Sequence, residues 1–249
     1  MGTALITGLI YFEVPEFWQS FAAIAFAVVL LEISQKLPYY VFIWHAHILS
    51  ALAIAVAVTT DLGSTHVWHS IPLHALTAVP VGAGLYLIAK RTKAPDTEGV
   101  NVGRAAYTWA GSGLMAWILF EATPAPWIGV SWIVFAIALA FVMRRIQYNP
   151  LAWQANALSA AAVVRAFTFN YTLQEKSWAG FSLRLITVSL VAAGIYFLSR
   201  KAVARDAESA RVITYLHTFS ATALLSLLAW YEAPSGWLVA VWAIFALVL

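Results

Sequence analysis

Long apolar runs alternate with short polar or proline-containing breaks along the whole chain. A helix that crosses a bilayer needs about 20 mostly apolar residues, and continuous runs favour helices over the alternating strands of a membrane barrel. We therefore expect an all-α, polytopic integral membrane protein. The runs predict about eight full and two partial transmembrane helices, near 17–34, 41–60, 72–90, 105–121, 127–145, 151–170, 181–199 and 211–230, with the partial ones at 2–12 and 236–249.

Composition supports this class of protein. Of the 249 residues, 62% are hydrophobic and 10% are charged, whereas a soluble domain carries about 45–50% apolar and about 25% charged residues. The charged side chains are too few to cover an ordinary water-facing surface. The absence of cysteine excludes disulfides, thiolate metal sites and cysteine nucleophiles.

The basic residues give the expected orientation. All of the 14 Lys and Arg residues except Arg165, Lys176 and Arg184 lie at alternate breaks, near 35–40, 91–104, 144–150 and 200–211. The positive-inside rule places these loops in the cytoplasm, so we expect a multi-pass protein of a bacterial inner membrane. Because the basic residues mark loops, the net charge of +3 does not predict nucleic-acid binding.

An internal repeat is the most informative pattern in the chain. Residues 44–61, WHAHILSALAIAVAVTTD, align without gaps on residues 153–170, WQANALSAAAVVRAFTFN, so corresponding positions differ by 109 residues. Each repeat contains four predicted helices, an even number, and successive units should therefore be parallel. Other landmarks recur at nearly the same spacing, namely Pro15 and Trp18, Pro124 and Trp127, and Pro234 and Trp237.

The repeat also predicts the domain organisation. We expect the end of a preceding unit at 1–16, two four-helix units at 17–125 and 126–235, and the start of a third unit at 236–249. Both terminal stretches match only part of a helix, so we expect the chain to be a fragment of a longer repeating protein. A complete chain with short or re-entrant terminal helices is the alternative.

The repeated element W-x-A-x-x-L-S-A begins at Trp44 and at Trp153 and is followed by a small-residue helix that ends in Asp61 or Asn170. It resembles the large bacterial multi-pass predicted membrane proteins of unknown function, which are built from tandem transmembrane-helix repeats. The resemblance implies an array of paired helices. It implies no catalytic or binding residue, because that family has no established activity.

Several histidines form a candidate group at the outer end of the second predicted helix. His-x-x-His spacing with a nearby carboxylate can bind a metal ion or carry a proton. The alternative is a set of polar loop residues at headgroup depth. The group consists of Asp61, His66, His69 and His74, and it is absent from the corresponding positions of the second unit.

His47 and His217 are expected at similar cytoplasmic depths on different helices, as the axial ligands of a haem would be. The alternative is that each imidazole forms a hydrogen bond across a helix interface. We expect no bound cofactor.

Arg165 is an unusual residue because it lies inside a predicted spanning helix, where its repeat counterpart is Val56. A charge at membrane depth is costly and suggests a function, so Arg165 with Asn156 and Gln154 defines a candidate polar path. The alternatives are snorkelling to the outer headgroups, or a structural ion pair with Glu175 or Glu121.

These observations favour a structural or accessory component of a larger membrane assembly. A transporter or lipid-handling protein that uses a polar path near Arg165 is the alternative, and an enzyme acting through the Asp61–His74 group is a weaker one. We find no phosphate-binding loop, Ser-His-Asp order or zinc-protease motif and assign no catalytic residue. The expected partners are the lipid bilayer and other membrane protein subunits, with no nucleic acid.

Overall fold

The computed structural model describes residues 2–37, 40–61, 67–68, 71–92, 98–146, 148–173, 177–178, 181–200, 207–234 and 236–248. Within these ranges, the side chains of 61, 67–68, 71–74, 98–101, 177–178, 207 and 244–248 are outside the description.

The described chain is almost entirely helical, which confirms the predicted all-α class. Two helices begin earlier than their apolar runs predict, at Glu98 and Ala207, because a search for apolar runs misses helical turns made of polar residues. The helices are α1 (Gly2–Glu13), α2 (Glu16–Lys36), α3 (Tyr40–Val56), α4 (Leu73–Arg91), α5 (Glu98–Ala122), α6 (Ile128–Ile146), α7 (Pro150–Thr168), α8 (Leu183–Arg200), α9 (Ala207–Glu232) and α10 (Leu238–Val248).

Five stretches of the described chain are long and apolar enough to cross a membrane, so the fold is compatible with a membrane protein. The remaining predicted spans form helices α4, α5 and α7 but are not among the five. In α7, Gln154, Asn156 and Arg165 interrupt the apolar sequence. The five stretches are Glu16–Lys36, Tyr40–Thr60, Ala125–Ile146, Leu183–Arg200 and Glu208–Glu232.

Proline marks three of the turns that precede helices. Proline cannot donate a backbone hydrogen bond and has a fixed φ, so it suits the start of a helix. In each case its carbonyl accepts a hydrogen bond from the tryptophan three residues later. These bonds are Trp18 to Pro15, Trp127 to Pro124 and Trp237 to Pro234, each 2.8 Å long.

Two short antiparallel hairpins precede α4 and α8, and the sequence analysis did not predict them. Strand β1 (Val67–Trp68) pairs with β2 (Ile71–Pro72), and β3 (Ser177–Trp178) pairs with β4 (Phe181–Ser182). Strands of two residues are too short to show an alternating pattern.

The helices form two compact units, Met1–Ala122 and Thr123–Leu249. In the first unit, α2 packs against both α3 and α4, and α4 packs against α5. Its core combines large side chains such as Ile24 and Leu85 with buried alanines such as Ala53. Alanine lets helix backbones approach closely, which is how helices associate in lipid.

The second unit has a similar internal order. Helix α6 packs against α7 and α8, and α8 packs against α9. Its buried core includes Ile133, Leu151, Val188 and Leu224.

One glycine in each unit is required by a close helix contact. A Cβ at Gly84 of α4 would lie 2.5 Å from Cγ1 of Ile24 on α2. A Cβ at Gly194 of α8 would lie 2.6 Å from Cγ1 of Ile133 on α6. Any larger residue would require the isoleucine side chain or its helix to shift.

Candidate functional site

An ion pair joins the start of α8 to the end of α9 in the second unit. Arg184 Nε lies 2.7 Å from Glu232 Oε1, and the two side chains are only 9% and 24% exposed. The arginine lies at the positive N-terminal end of its helix and the glutamate at the negative C-terminal end of its own. Each charge is therefore destabilised by the dipole of its own helix and stabilised by the opposite charge of its partner.

The Arg184 guanidinium has further partners. Its Nη1 donates to the Tyr171 carbonyl over 3.3 Å and its Nη2 to the Tyr231 carbonyl over 3.4 Å. Its Cζ lies 4.9 Å from the centre of the Tyr231 ring, within the range of a cation–π contact. The buried cation is thus neutralised and hydrogen-bonded by groups of its own unit.

Ser182 connects this ion pair to the helix backbone. Its hydroxyl donates to Glu232 Oε1 over 2.7 Å and accepts a hydrogen bond from the Leu185 amide over 2.9 Å. The second bond satisfies one of the free amides at the start of α8, as a helix cap does. Strand β4 ends at Ser182, so the hairpin places this hydroxyl beside the carboxylate.

Tyr171 lies in the 3-10 turn Asn170–Thr172, after α7, and is 6% exposed. Its hydroxyl donates to the Leu224 carbonyl of α9. Burial raises the pKa of the Tyr171 phenol, while the Arg184 charge opposes this rise only in part. The phenol therefore remains protonated and acts as a hydrogen-bond donor.

Asn170, in the same turn, is completely buried. Its Nδ2 donates to the Pro126 carbonyl over 2.9 Å and to Thr187 Oγ1 over 2.7 Å. Its Oδ1 has no hydrogen-bond partner among the described residues. The amide joins the turn after α7 to the turn before α6 and to α8.

Arg165, near the end of α7, has two neighbours of a different kind. Its Nη2 donates to the Ala125 carbonyl over 3.3 Å, and its Cζ lies 3.9 Å from the centre of the Phe169 ring. Its Nε is buried without a partner in the described chain. Of the two predicted partners, Glu175 lies outside the described residues and Glu121 belongs to the other compact unit.

His217 of α9 lies against Ser159 of α7, with 2.9 Å between Nε2 and Oγ. The Ser159 hydroxyl donates its one proton to the Asn156 carbonyl over 2.8 Å, so His217 Nε2 must be the donor to Oγ. Serine beside histidine is a pair used in acyl transfer. Ser159 is only 1% exposed and its proton is already donated to a carbonyl, so the geometry suits helix packing and not nucleophilic attack.

His47 of α3 has a phenol as its partner. Its Nδ1 shares a 2.5 Å hydrogen bond with the hydroxyl of Tyr107 on α5, and the two rings are stacked with centres 5.6 Å apart. His47 and His217 lie in different compact units, and each imidazole has a hydroxyl partner in its own unit. Both imidazoles therefore form hydrogen bonds across helix interfaces, as the alternative to haem ligation predicts.

The residues of the predicted polar path do not all lie on one face of α7. Gln154 is 1% exposed and precedes Arg165 by eleven residues on the same helical face, a rise of about 16 Å. Leu158 and Ala162 lie between them on that face, and both are buried. Asn156 lies on the other side of the helix from Gln154, because two residues correspond to about 200° of rotation.

The predicted metal group is largely outside the description. His66 and His69 lie outside the described residues, and the side chains of Asp61 and His74 are not described. Among the described side chains, no three of His, Cys, Asp or Glu converge on a common point.

Comparisons with models of protein families, with curated proteins and with solved structures find no match to this chain.

Sequence reasoning missed the Arg184–Glu232 pair. Arg184 is one of three basic residues outside the cytoplasmic breaks, and Glu232 is an acidic residue beside an outer break. The unusual position of Arg184 was the available signal. Its pairing with Glu232 across 48 residues depends on how α8 packs against α9, which no local pattern reports.

Proposed function

We propose that this chain is a multi-pass membrane protein with a structural or accessory role in a larger membrane assembly. The main supporting observation is that several polar side chains inside the described helices form hydrogen bonds to a neighbouring helix of the same unit. Besides the two histidine contacts, Tyr86 shares a hydrogen bond with Ser112, and Tyr196 with Thr222. Such contacts hold helices together in lipid, where few other polar partners exist.

The membrane placement rests on the helices and their surfaces. All eight predicted full spans are helical, and large apolar side chains point outward, such as Ile48 at 63% and Phe219 at 75% exposure. Extended apolar surface is rare on soluble monomers and suits lipid contact. We place the chain in a bacterial inner membrane, with the basic breaks near 35–40, 91–104, 144–150 and 200–211 in the cytoplasm.

The tandem four-helix architecture is part of the same proposal. Contacts at matching positions support it: Gly84 on Ile24 and Gly194 on Ile133, separated by 109 or 110 residues along the chain. The hydroxyl pairs Tyr86–Ser112 and Tyr196–Thr222 match at a spacing of 110. The hairpins also recur before the equivalent helices α4 and α8.

The corresponding contacts between the second and fourth helices of each unit support it further. One imidazole occurs at this contact in each unit, but on different helices. In the first unit His47 of α3 faces Tyr107 of α5, and in the second unit Ser159 of α7 faces His217 of α9. At the repeat spacing, Tyr107 corresponds to His217.

Thiol labelling distinguishes this role from transport, because the chain has no cysteine of its own. The substitutions Asn156→Cys and Ser159→Cys place thiols at the middle of α7, and Glu208→Cys gives an exposed control at the start of α9. A membrane-impermeant maleimide should label only the Glu208 position in inverted vesicles, which expose the cytoplasmic face. Labelling of both α7 positions would establish a water-filled path and favour a transporter.

The accessory role also predicts a stable assembly. Native gel electrophoresis after mild detergent extraction should place the protein in a particle larger than the purified chain in the same detergent. Migration as the free chain at every detergent concentration would contradict the proposal.

A further inference from the structure

Arg165 lacks a counter-charge in the part of the chain that the structure describes. The described ion pairs Arg91–Glu32 and Arg184–Glu232 do not include Arg165. The groups that contact the Arg165 guanidinium are the Ala125 carbonyl and the Phe169 ring, and neither carries a charge. A guanidinium stays protonated under all ordinary conditions, so Arg165 keeps a positive charge that these neighbours do not neutralise.

The surroundings of Arg165 on α7 are apolar and exposed. Val164 is 60% exposed and Phe167 is 39% exposed. A cation between exposed apolar side chains, three residues before the end of a helix, suits the boundary between acyl chains and headgroups. This placement rests on the proposed membrane location.

The arginine is held in one position by its contacts. Its guanidinium lies on the Phe169 ring and is bound to Ala125 in the turn that leads into α6. Its stem passes close to Gly129, where a Cβ would lie 3.9 Å from Arg165 Cγ. An arginine fixed in this way loses little conformational freedom when it binds a ligand.

We propose that Arg165 binds the phosphate of an anionic phospholipid, whose acyl chains lie against Val164 and Phe167. The guanidinium donates charge-assisted hydrogen bonds to the phosphate oxygens, for which its planar geometry is well suited. A net anionic lipid is favoured because it neutralises the charge that the described residues leave unpaired. A zwitterionic lipid carries the same phosphate together with its own cation.

The repeat supplies a matched variant for the test. The counterpart of Arg165 in the first unit is Val56, so Arg165→Val introduces the side chain that the other unit carries at this position. Arg165→Lys retains the charge but loses the planar donor arrangement. The variants are purified in detergent, stripped of lipid and titrated with phosphatidylglycerol, with phosphatidylcholine or with inorganic phosphate. Bound lipid is counted by native mass spectrometry.

We expect the unmodified chain to bind phosphatidylglycerol about tenfold more tightly than Arg165→Val does, with Arg165→Lys in between. Phosphatidylcholine should show less than about a threefold difference between the chains. Equal phosphatidylglycerol binding by the unmodified chain and Arg165→Val would overturn the proposal. If inorganic phosphate alone bound the unmodified chain and abolished the difference in phosphatidylglycerol binding between it and Arg165→Val, the site would be one for a free anion. That result would overturn the lipid as ligand.

Glu175→Gln tests the competing internal partner. If Arg165 is free to bind lipid, this change should leave phosphatidylglycerol affinity within about twofold. A tenfold gain would show that Glu175 normally neutralises the arginine, and the proposal would fail. Alkaline carbonate extraction tests the membrane location separately from the lipid proposal. Release of the chain from membranes by carbonate would contradict the membrane location, whatever the lipid affinity of the chain.

Discussion

Arg184 and Glu232 form an ion pair in which each charge lies at the helix end of its own sign. The cation starts α8, where the helix dipole is positive, and the anion ends α9, where it is negative. Each residue alone would destabilise its helix, and together they hold the ends of the two helices side by side. The pair is therefore a structural link and not a free charge available for chemistry.

Removing the negative charge of this pair should destabilise the protein more than removing that of an exposed pair. Glu232→Gln leaves Arg184 buried without a counter-charge and should lower the free energy of unfolding by about 2–3 kcal/mol. Glu32→Gln breaks the Arg91–Glu32 pair, whose side chains are 49% and 39% exposed, and should cost less than about 1 kcal/mol. Thermal unfolding in detergent measures both losses. Equal losses for Glu232→Gln and Glu32→Gln would show that the buried ion pair contributes no more to stability than the exposed one.

The close helix contact at Gly194 predicts a steric penalty. Gly194→Ala forces a Cβ against Ile133 and should cost about 1–3 kcal/mol through displacement of α6 from α8. Gly113→Ala is the control, because a Cβ there has no neighbour within 4 Å and alanine favours the helix. Ile133→Ala should cost less stability in the Gly194→Ala background than in the unmodified chain, because it also relieves the clash. An unchanged melting temperature in Gly194→Ala would disprove the contact.

The Ser159–His217 contact predicts a tolerated exchange. His217→Tyr introduces the residue that the first unit has at the corresponding position, Tyr107, and should cost less than Ser159→Ala. Ser159→Ala removes the acceptor of a buried imidazole N–H and should cost about 1–3 kcal/mol. Thermal unfolding compares the two variants. A larger loss of stability for His217→Tyr than for Ser159→Ala would indicate that the second unit does not accommodate the first unit's residue at this position.

The buried phenol of Tyr171 predicts a pH dependence. Because burial raises the folded-state pKa of Tyr171, its contribution to stability is complete below the unfolded pKa, about 10, and decreases as the pH rises beyond it. Tyr171→Phe should lose about 1 kcal/mol at pH 7 through the missing hydrogen bond to Leu224. The difference in free energy of unfolding between the unmodified chain and Tyr171→Phe should decrease above about pH 10. The control is Tyr215→Phe, at a 67% exposed position, which should be as stable as the unmodified chain at each pH.

Most helices could be predicted from sequence because they coincide with long continuous apolar runs, which lack the alternating pattern of a strand. The run at 127–145 became α6 (Ile128–Ile146), and the run at 151–170 became α7 (Pro150–Thr168). Helical turns of polar residues at Glu98 and Ala207 were missed, since polar residues outside an apolar run carry no such signal.

The polar contacts were only partly predictable. His47 and His217 stood out as polar residues in apolar helices, and hydrogen bonding across an interface was one of their two interpretations. Arg165 was also a polar exception, and its spacing of four residues from Phe169 is one at which helical side chains meet. Its bond to the Ala125 carbonyl, 40 residues away, depends on packing and could not be predicted from spacing. The link between Asn170, Pro126 and Thr187 involves three separate segments and depends wholly on their packing.

Sidedness of the loops is the most direct test of the proposed tandem four-helix membrane architecture. Single cysteines at Lys36, Lys93, Gln147 and Ala204 should react with an impermeant maleimide only from the cytoplasmic side, in inverted vesicles. Cysteines at Gly63, Thr123, Glu175 and Ser235 should react only from the outer side, in right-side-out vesicles. Labelling of the Lys36 and Gln147 positions from opposite sides would contradict parallel units, because these two positions lie in equivalent breaks of the two repeats.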